Sequence, residues 1–214
     1  ALISPKVRHM PAITEEDEFG RLVRAIWRYE GRGGTANALK LMALLFPRPG
    51  ELRHARWSEI DFNKAVWTIP AERMKMRREH RKPLPSAVLH ILLDLRGTNG
   101  PEDYLLPAVT DPERPMSENT MNSALERLGF PGERMTPHGF RATASTLLNE
   151  SGLWNPDAIE AELAHVDTKG VRSIYNRARY WAERVEMMQW WAGQVLRRYE
   201  NSDLGSRTAA VPVP

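Results

Sequence analysis

At 214 residues, with 42% hydrophobic and 27% charged side chains, the chain is long enough to bury a sizeable core and too apolar for a disordered one. The absence of cysteine excludes a disulfide framework, an iron–sulfur cluster, a cysteine zinc site and thiol catalysis, and no apolar run reaches the roughly 18 residues that span a bilayer. The formal charge is only +3, yet Arg73 to Lys82 holds six basic residues and one acid, which leaves −2 on the other 204 residues: a basic prong on a near-neutral body, read either as a solvated hairpin or as a contact for a polyanion.

Residues 1–13 contain two prolines and no sustained period, and read as a linker or arm. Thr14 is placed as the N-cap of a first helix, with Glu15, Glu16 and Asp17 in its positive first turn and Phe19, Leu22, Val23 and Ile26 at helical spacing. Ala36 to Phe46 is nearly all apolar, as a helix buried on most sides requires. Pro47-Arg-Pro-Gly50 interrupts it, and a short helix with Leu52 and Ala55 follows. Val66-Trp-Thr-Ile69 is β-branched and aromatic and reads as a strand, with Arg81 to Leu84 returning antiparallel to it and the basic stretch between.

Helical patterns then resume. Val88, Leu89, Leu92 and Leu95 form a stripe, a Gly/Pro-rich loop covers 97–115, and Ser117 is placed as the cap of a helix carrying Met121, Ala124, Leu125 and Leu128. Pro137 suits the first position of a helix running to Asn149. Shorter helices are expected over 156–165 and 168–179, and a last one over about 181–199 with Val185, Met188, Ala192, Val195 and Leu196 on one face. Met187, Met188, Trp190 and Trp191 in that helix either pack in the core or dock on a neighbouring protomer. The tail from Asn201 is polar and then Ala/Pro-rich, and is expected to be disordered. The class is mainly α with a small antiparallel β-sheet, an α+β chain.

A few residues stand where the local pattern does not need them. Arg48, between two prolines, either points to solvent or is held for a purpose; Glu51 either orients its guanidinium or forms an ordinary structural ion pair with it. His138 and Arg141 share a face near a helix N-terminus, where unpaired N–H groups favour an anion. No carboxylate or second histidine accompanies them at metal-ligand spacing. By themselves, Lys75 is one of several bases in its hairpin, and Tyr175 reads as a half-buried core tyrosine as readily as a nucleophile.

Their order and spacing together point further. Arg-x-x-Glu-Leu at 48–52, a lysine in a β-hairpin at 75, His-x-x-Arg at 138–141, Leu-x-His at 163–165 and a tyrosine at 175 follow one another. The stretches RPGELRHARWSEIDF, IPAERMKMRREH and MTPHGFRATASTLLNESG surround the first three motifs. In these features the chain resembles the tyrosine recombinase family, and within it the integrases of P4-like phages and genomic islands, over about residues 9–196.

The resemblance implies a catalytic domain over 14–200, preceded by the linker and followed by the tail 201–214, with the family's arm-binding and core-binding domains absent from this chain. It implies that Arg48 and Arg141 grip the nonbridging oxygens of the scissile phosphate and that Tyr175 attacks the phosphorus. By the same resemblance, Lys75 would protonate the leaving 5′-oxygen, His138 would assist as base or phosphate ligand, His165 would hydrogen-bond the phosphate, and Glu51 would support Arg48. Arg73, Arg77, Arg78 and Arg81 are expected to touch DNA. No metal or other cofactor is implied. The partners would be double-stranded attachment-site DNA and further copies of the full-length protein in a tetramer, with no membrane, in a bacterial cytoplasm. Two alternatives share these features: a DNA-binding module without catalysis in this form, and a type IB topoisomerase-like strand transferase. The returning strand departs from the family pattern at Lys82, where an apolar residue is expected before the proline, and Lys82 is therefore placed at an exposed edge.

Overall fold

The computed structural model describes residues 10–32, 34–74, 77–97, 99–165 and 180–200. Lys75, Tyr175, the helix expected over 168–179 and the tail from 201 lie outside the described residues. The elements run α1 (Glu16–Trp27), α2 (Thr35–Leu45), α3 (Pro49–Arg53), β1 (Ile60–Asp61), β2 (Val66–Ile69), β3 (His80–Pro83), α4 (Ser86–Arg96), α5 (Thr120–Arg127), α6 (Gly139–Glu150), α7 (Pro156–Glu162) and α8 (Trp181–Glu200). The three strands form one antiparallel sheet in the order β1-β2-β3. Mainly α with a small antiparallel sheet is thus the architecture observed.

Helix α2 is the axis of the core. Its Ala38, Leu39, Leu41, Met42, Leu44 and Leu45 are all buried, because α1, α4, α5 and α8 surround it. Helix α8 lies against α1, α2, α7 and β3. Trp191 is its main anchor: the indole N–H donates to the Ala43 carbonyl at 2.9 Å, the ring stacks on Phe19 at 5.8 Å and meets Phe46 edge-on at 5.9 Å. Met187 and Met188 are fully buried beside it. Of the two roles open to this group, core packing is the one the structure gives Met187, Met188 and Trp191, with Trp190 half-buried against Trp154.

The buried face of α8 differs from the expected stripe at one point. Val185 is 43% exposed, whereas Arg184 beside it is buried. The helix is rotated to aim Arg184 at Glu162, with Arg184 Nε 2.8 Å from Glu162 Oε2. Apolar periodicity is blind to that choice.

Helix starts shift by one to three residues. Helix α1 begins at Glu16, with Glu15 rather than Thr14 as the extended N-cap residue. Helix α5 begins at Thr120, whose N–H is bound by the Ser117 carbonyl. Helix α6 begins at Gly139 because Thr136 Oγ1 accepts the Gly139 N–H at 3.1 Å, which leaves Pro137 outside the helix. Gly139 itself is required by close approach: a Cβ there would lie 2.3 Å from the Pro11 carbonyl oxygen. Residues 11–13, the end of the expected linker, pack on the body at this crossing, and Ile13 is buried.

The sheet corrects the placement of Lys82. Register pairs Trp67 with Lys82 and Ile69 with His80, so the two-residue period turns His80 and Lys82 to the inner face and Arg81 outward. Strand β3 is a sheet edge, but α7 and α8 cover its inner face, and Lys82 is only 1% exposed.

Removing the α8 anchor tests this packing. Trp191→Ala is expected to cost about 3–5 kcal/mol, the range for deleting a large buried aromatic, read as a lower urea midpoint with an unchanged slope.

Candidate active site

Arg48 is placed by two backbone features. Helix α2 ends at Phe46 in a left-handed conformation (φ 39°), which turns the chain back beside α2, and Pro49 then opens α3 at the position where a missing N–H costs nothing. Arg48 is the N-cap residue of α3. Glu51, buried and one turn on, reaches back with both carboxylate oxygens: Oε2 accepts the Arg48 backbone N–H at 2.8 Å and Oε1 accepts Nη1 at 2.7 Å. The remaining Nη2 donates to the Ala164 carbonyl at 3.4 Å. The Arg48–Glu51 pair therefore fixes where the guanidinium sits.

Helix α6 supplies His138 as its N-cap residue and Arg141 in its first turn. Arg141 is 4% exposed. Its Nη1 donates to the Phe46 carbonyl at 3.2 Å, and its Nη2 to the Leu163 carbonyl at 2.5 Å and to His165 Nε2 at 3.2 Å. Burial and the neighbouring Arg48 charge pull its pKa down to about 10. Backbone carbonyls orient this fork without cancelling its full charge, so the arginine keeps attraction for an anion.

His165 follows α7, where Ala164 turns the chain in a left-handed conformation (φ 50°). Its Nδ1 lies 2.9 Å from Glu160 Oε2. A guanidinium can only donate, so in this arrangement Nε2 accepts from Arg141 and Nδ1 carries the proton to Glu160. The side chain is 52% exposed. His138 is half-buried, and its pKa is lowered by burial first and then by the charges of Arg141 and Arg48, which favours the neutral ring. Four side chains from three separate stretches of chain thus share one cationic cluster, with Glu51 beneath Arg48.

The basic hairpin divides its charges. Arg73, at the base, forms an ion pair with Glu59 and donates to the Glu51 carbonyl at 3.3 Å, so the strand leaving β2 is tied to α3. Arg77, Arg78 and Arg81 are exposed, with the Arg81 guanidinium 4.8 Å from the Trp181 ring centroid. Lys82 points inward to Glu162, 2.5 Å from its Oε1.

Several partners in this region carry no sequence signature. The carbonyls of Phe46, Leu163 and Ala164 hold the two arginines whatever their side chains are. Glu160 orients His165 from five residues away, a separation no helical spacing rule singles out. Glu162 and Arg184 meet only because α7, α8 and β3 pack together; the lysine at position 82 was the one visible sign of them.

The phage integrase family model matches residues 13–181. The chain is 42% identical over 195 residues to prophage integrase IntA of Escherichia coli (strain K12), which covers 91% of this chain and 46% of that protein. It is 41% identical over 206 residues to the integrase of Enterobacteria phage P4, covering 90% of this chain and 47% of that one. The chain therefore spans about half the length of these relatives. Among solved structures, the integrase from mycobacterium phage Brujita superposes with a TM-score of 0.62 at 15% identity, over 91% of this chain and 65% of that one. XerA recombinase gives 0.55 at 20% identity, over 86% and 69%. The Tn1549 transposon integrase in complex with a circular intermediate DNA gives 0.56 at 15%, over 86% and 68%. At such identities these three likenesses are of fold.

The lowered pKa of His138 has a sign that can be checked. The unfolded chain, with its histidine at the ordinary 6.5, takes up this proton more readily than the folded one. Stability is therefore unaffected by His138 well above that pH and is lost as pH falls through it toward the lower folded value. His138→Gln is expected to remove part of the fall in urea midpoint on acidification. By proton NMR, the His138 ring should titrate below 6.5 and move upward when sulfate is added.

Proposed function

The chain belongs to the phage integrase family, and from that premise we propose that it cuts and rejoins double-stranded DNA through a covalent 3′-phosphotyrosyl intermediate, with Tyr175 as nucleophile. The observation that carries this reading is the meeting of Arg48, His138, Arg141 and His165 in one cationic cluster.

Phosphoryl transfer asks mainly for positioned positive charge around the equatorial oxygens. Arg141 and Arg48 offer planar forks that a lysine does not reproduce. The Tyr175 oxygen forms a bond to phosphorus as the bond to the 5′-oxygen breaks, and Lys75 gives that leaving oxygen its proton. The phenol proton passes to a base, a role for which a neutral His138 is suited. His165 accepts from Arg141 in the resting cluster, so it donates to a phosphate oxygen only once Nε2 carries a proton, with the ring held through Nδ1 by Glu160. The covalent link conserves the phosphodiester, and the freed 5′-hydroxyl of another strand reverses the step without a nucleotide cofactor.

In this reading Arg77, Arg78 and Arg81 contact the DNA backbone, and Arg73, engaged with Glu59, holds the hairpin base. The full-length protein would act in the cytoplasm on attachment sites, as a tetramer, to integrate or excise a phage or genomic island.

Tyr175→Phe is expected to abolish covalent capture of a nicked suicide duplex, read as a gel-shifted denaturation-resistant adduct, while salt-sensitive DNA binding persists. An adduct from that variant would place the nucleophile elsewhere. Binding without an adduct from the unmodified chain would make this a DNA-binding module. Arg141→Ala and Arg48→Ala are each expected to slow adduct formation by about 10²–10³-fold, the scale for losing one oxyanion-stabilising donor. Because the chain's own cations carry the charge in this proposal, the adduct should form equally well in excess EDTA.

A further inference from the structure

Lys82, Glu162 and Arg184 form a buried charged triad at the C-terminal end of α7, three residues before His165. Glu162 is 0% exposed, and both its carboxylate oxygens are engaged: Oε1 with Lys82 Nζ at 2.5 Å, Oε2 with Arg184 Nε at 2.8 Å and Nη2 at 2.6 Å. Its backbone carbonyl also takes Lys82 Nζ at 3.2 Å and pairs with the His80 ring nitrogen at 3.1 Å. Arg184 Nη2 reaches on to the Arg81 carbonyl at 2.5 Å. Three elements, β3, α7 and α8, are thus tied at one residue. Burial pulls the Lys82 ammonium below the ordinary lysine range against the opposing pull of Glu162. Such clusters are poor sources of stability, since well-packed apolar side chains of similar volume commonly do as well.

What the triad adds is direction. The three residues after Glu162 each contact the cationic cluster in turn: the Leu163 carbonyl takes Arg141, the Ala164 carbonyl takes Arg48, and the His165 ring takes Arg141. Ala164 makes this run possible only in its left-handed conformation, which persists where neighbouring contacts over-determine it. One Cα step is 3.8 Å, so a shift at Glu162 has little chain in which to dissipate before it reaches both arginines. The same triad seats β3, the return strand of the hairpin in which Lys75 falls.

We infer that Lys82, Glu162 and Arg184 are positioning residues: a buried latch that sets the 163–165 segment, His165 included, against Arg48 and Arg141 and docks the basic hairpin against it. The inference rests on the strand-cleavage reading above. Glu162→Gln keeps the shape and removes the charge. It is expected to lower the single-turnover rate of adduct formation at saturating suicide duplex by up to about 100-fold, the scale of a small misplacement in a reacting site, with DNA affinity unchanged. Lys82→Met should act in the same direction, and the double variant should cost no more than the worse single one, because the pair works as a unit. Amide hydrogen exchange should speed up at 163–165 in both singles.

Full adduct rates in folded Glu162→Gln, with only its melting temperature lowered, would reduce the triad to a structural ion cluster and overturn the inference. Should Glu162→Gln not fold, Arg184→Lys keeps the charge but gives up the reach to the Arg81 carbonyl, and is read by the same rate and exchange. If the unmodified chain forms no adduct, the strand-cleavage reading fails, and the exchange at 163–165 alone decides the latch: unchanged protection overturns it.

Discussion

A buried arginine held by backbone carbonyls is the constraint on which the rest of the site depends. Arg141 sits in the first turn of α6 with almost no solvent, and its fork reaches the ends of two other helices, at Phe46 after α2 and Leu163 after α7. Taking a guanidinium out of water is costly unless its N–H groups are satisfied. Here carbonyl dipoles satisfy them, which fixes the fork yet leaves its charge to be matched by something else. Burial first, and then the Arg48 charge, lower its pKa to about 10, and an oxyanion entering the cluster would oppose both.

The surrounding architecture follows from this demand. Both accepting carbonyls sit at or beside left-handed residues: Phe46 is one itself, and Ala164 follows Leu163. Non-glycine residues in that region carry strain of order 1–3 kcal/mol each, held here by the packing of α2 in the core and of α7 against α6 and α8. Arg48 is treated differently from Arg141. Glu51 takes both its backbone and its side chain, so its charge is partly matched and its position firmly set. One arginine is oriented by an acid and the other by peptides, and the two meet at consecutive carbonyls of the same short segment.

The hairpin joins this arrangement at both of its roots. Arg73 ties the strand leaving β2 to the Glu51 carbonyl, and Lys82 with His80 ties β3 to Glu162. A charged turn that looks from its composition like a freely solvated prong is thus anchored to the two helices that place Arg48 and His165. Its exposed arginines, Arg77, Arg78 and Arg81, remain on the outside. The low net charge of the whole chain conceals both facts, because two of the six bases in that stretch face inward onto carboxylates.

Much of this was legible from residue order. The apolar run of α2, the β-branched strand β2, the proline-flanked Arg48 and the His-x-x-Arg at the start of α6 follow from local rules of period, propensity and capping, and the order of the motifs identified the family. The family pattern also marked Lys82 as out of place, but the edge position assigned to it was wrong, since an edge strand looks exposed until a helix is known to cover it. Arg184 was missed for the same reason: helical period predicts which side of α8 is apolar, and a buried cation on that side is invisible without its acid. The sequence by itself determined the elements, the family and the cationic residues, because these depend on neighbours a few positions away. Only the tertiary structure decided which of those cations face one another and which are held by carbonyls or buried acids, because such contacts join residues up to 116 positions apart and exist only once the core has closed.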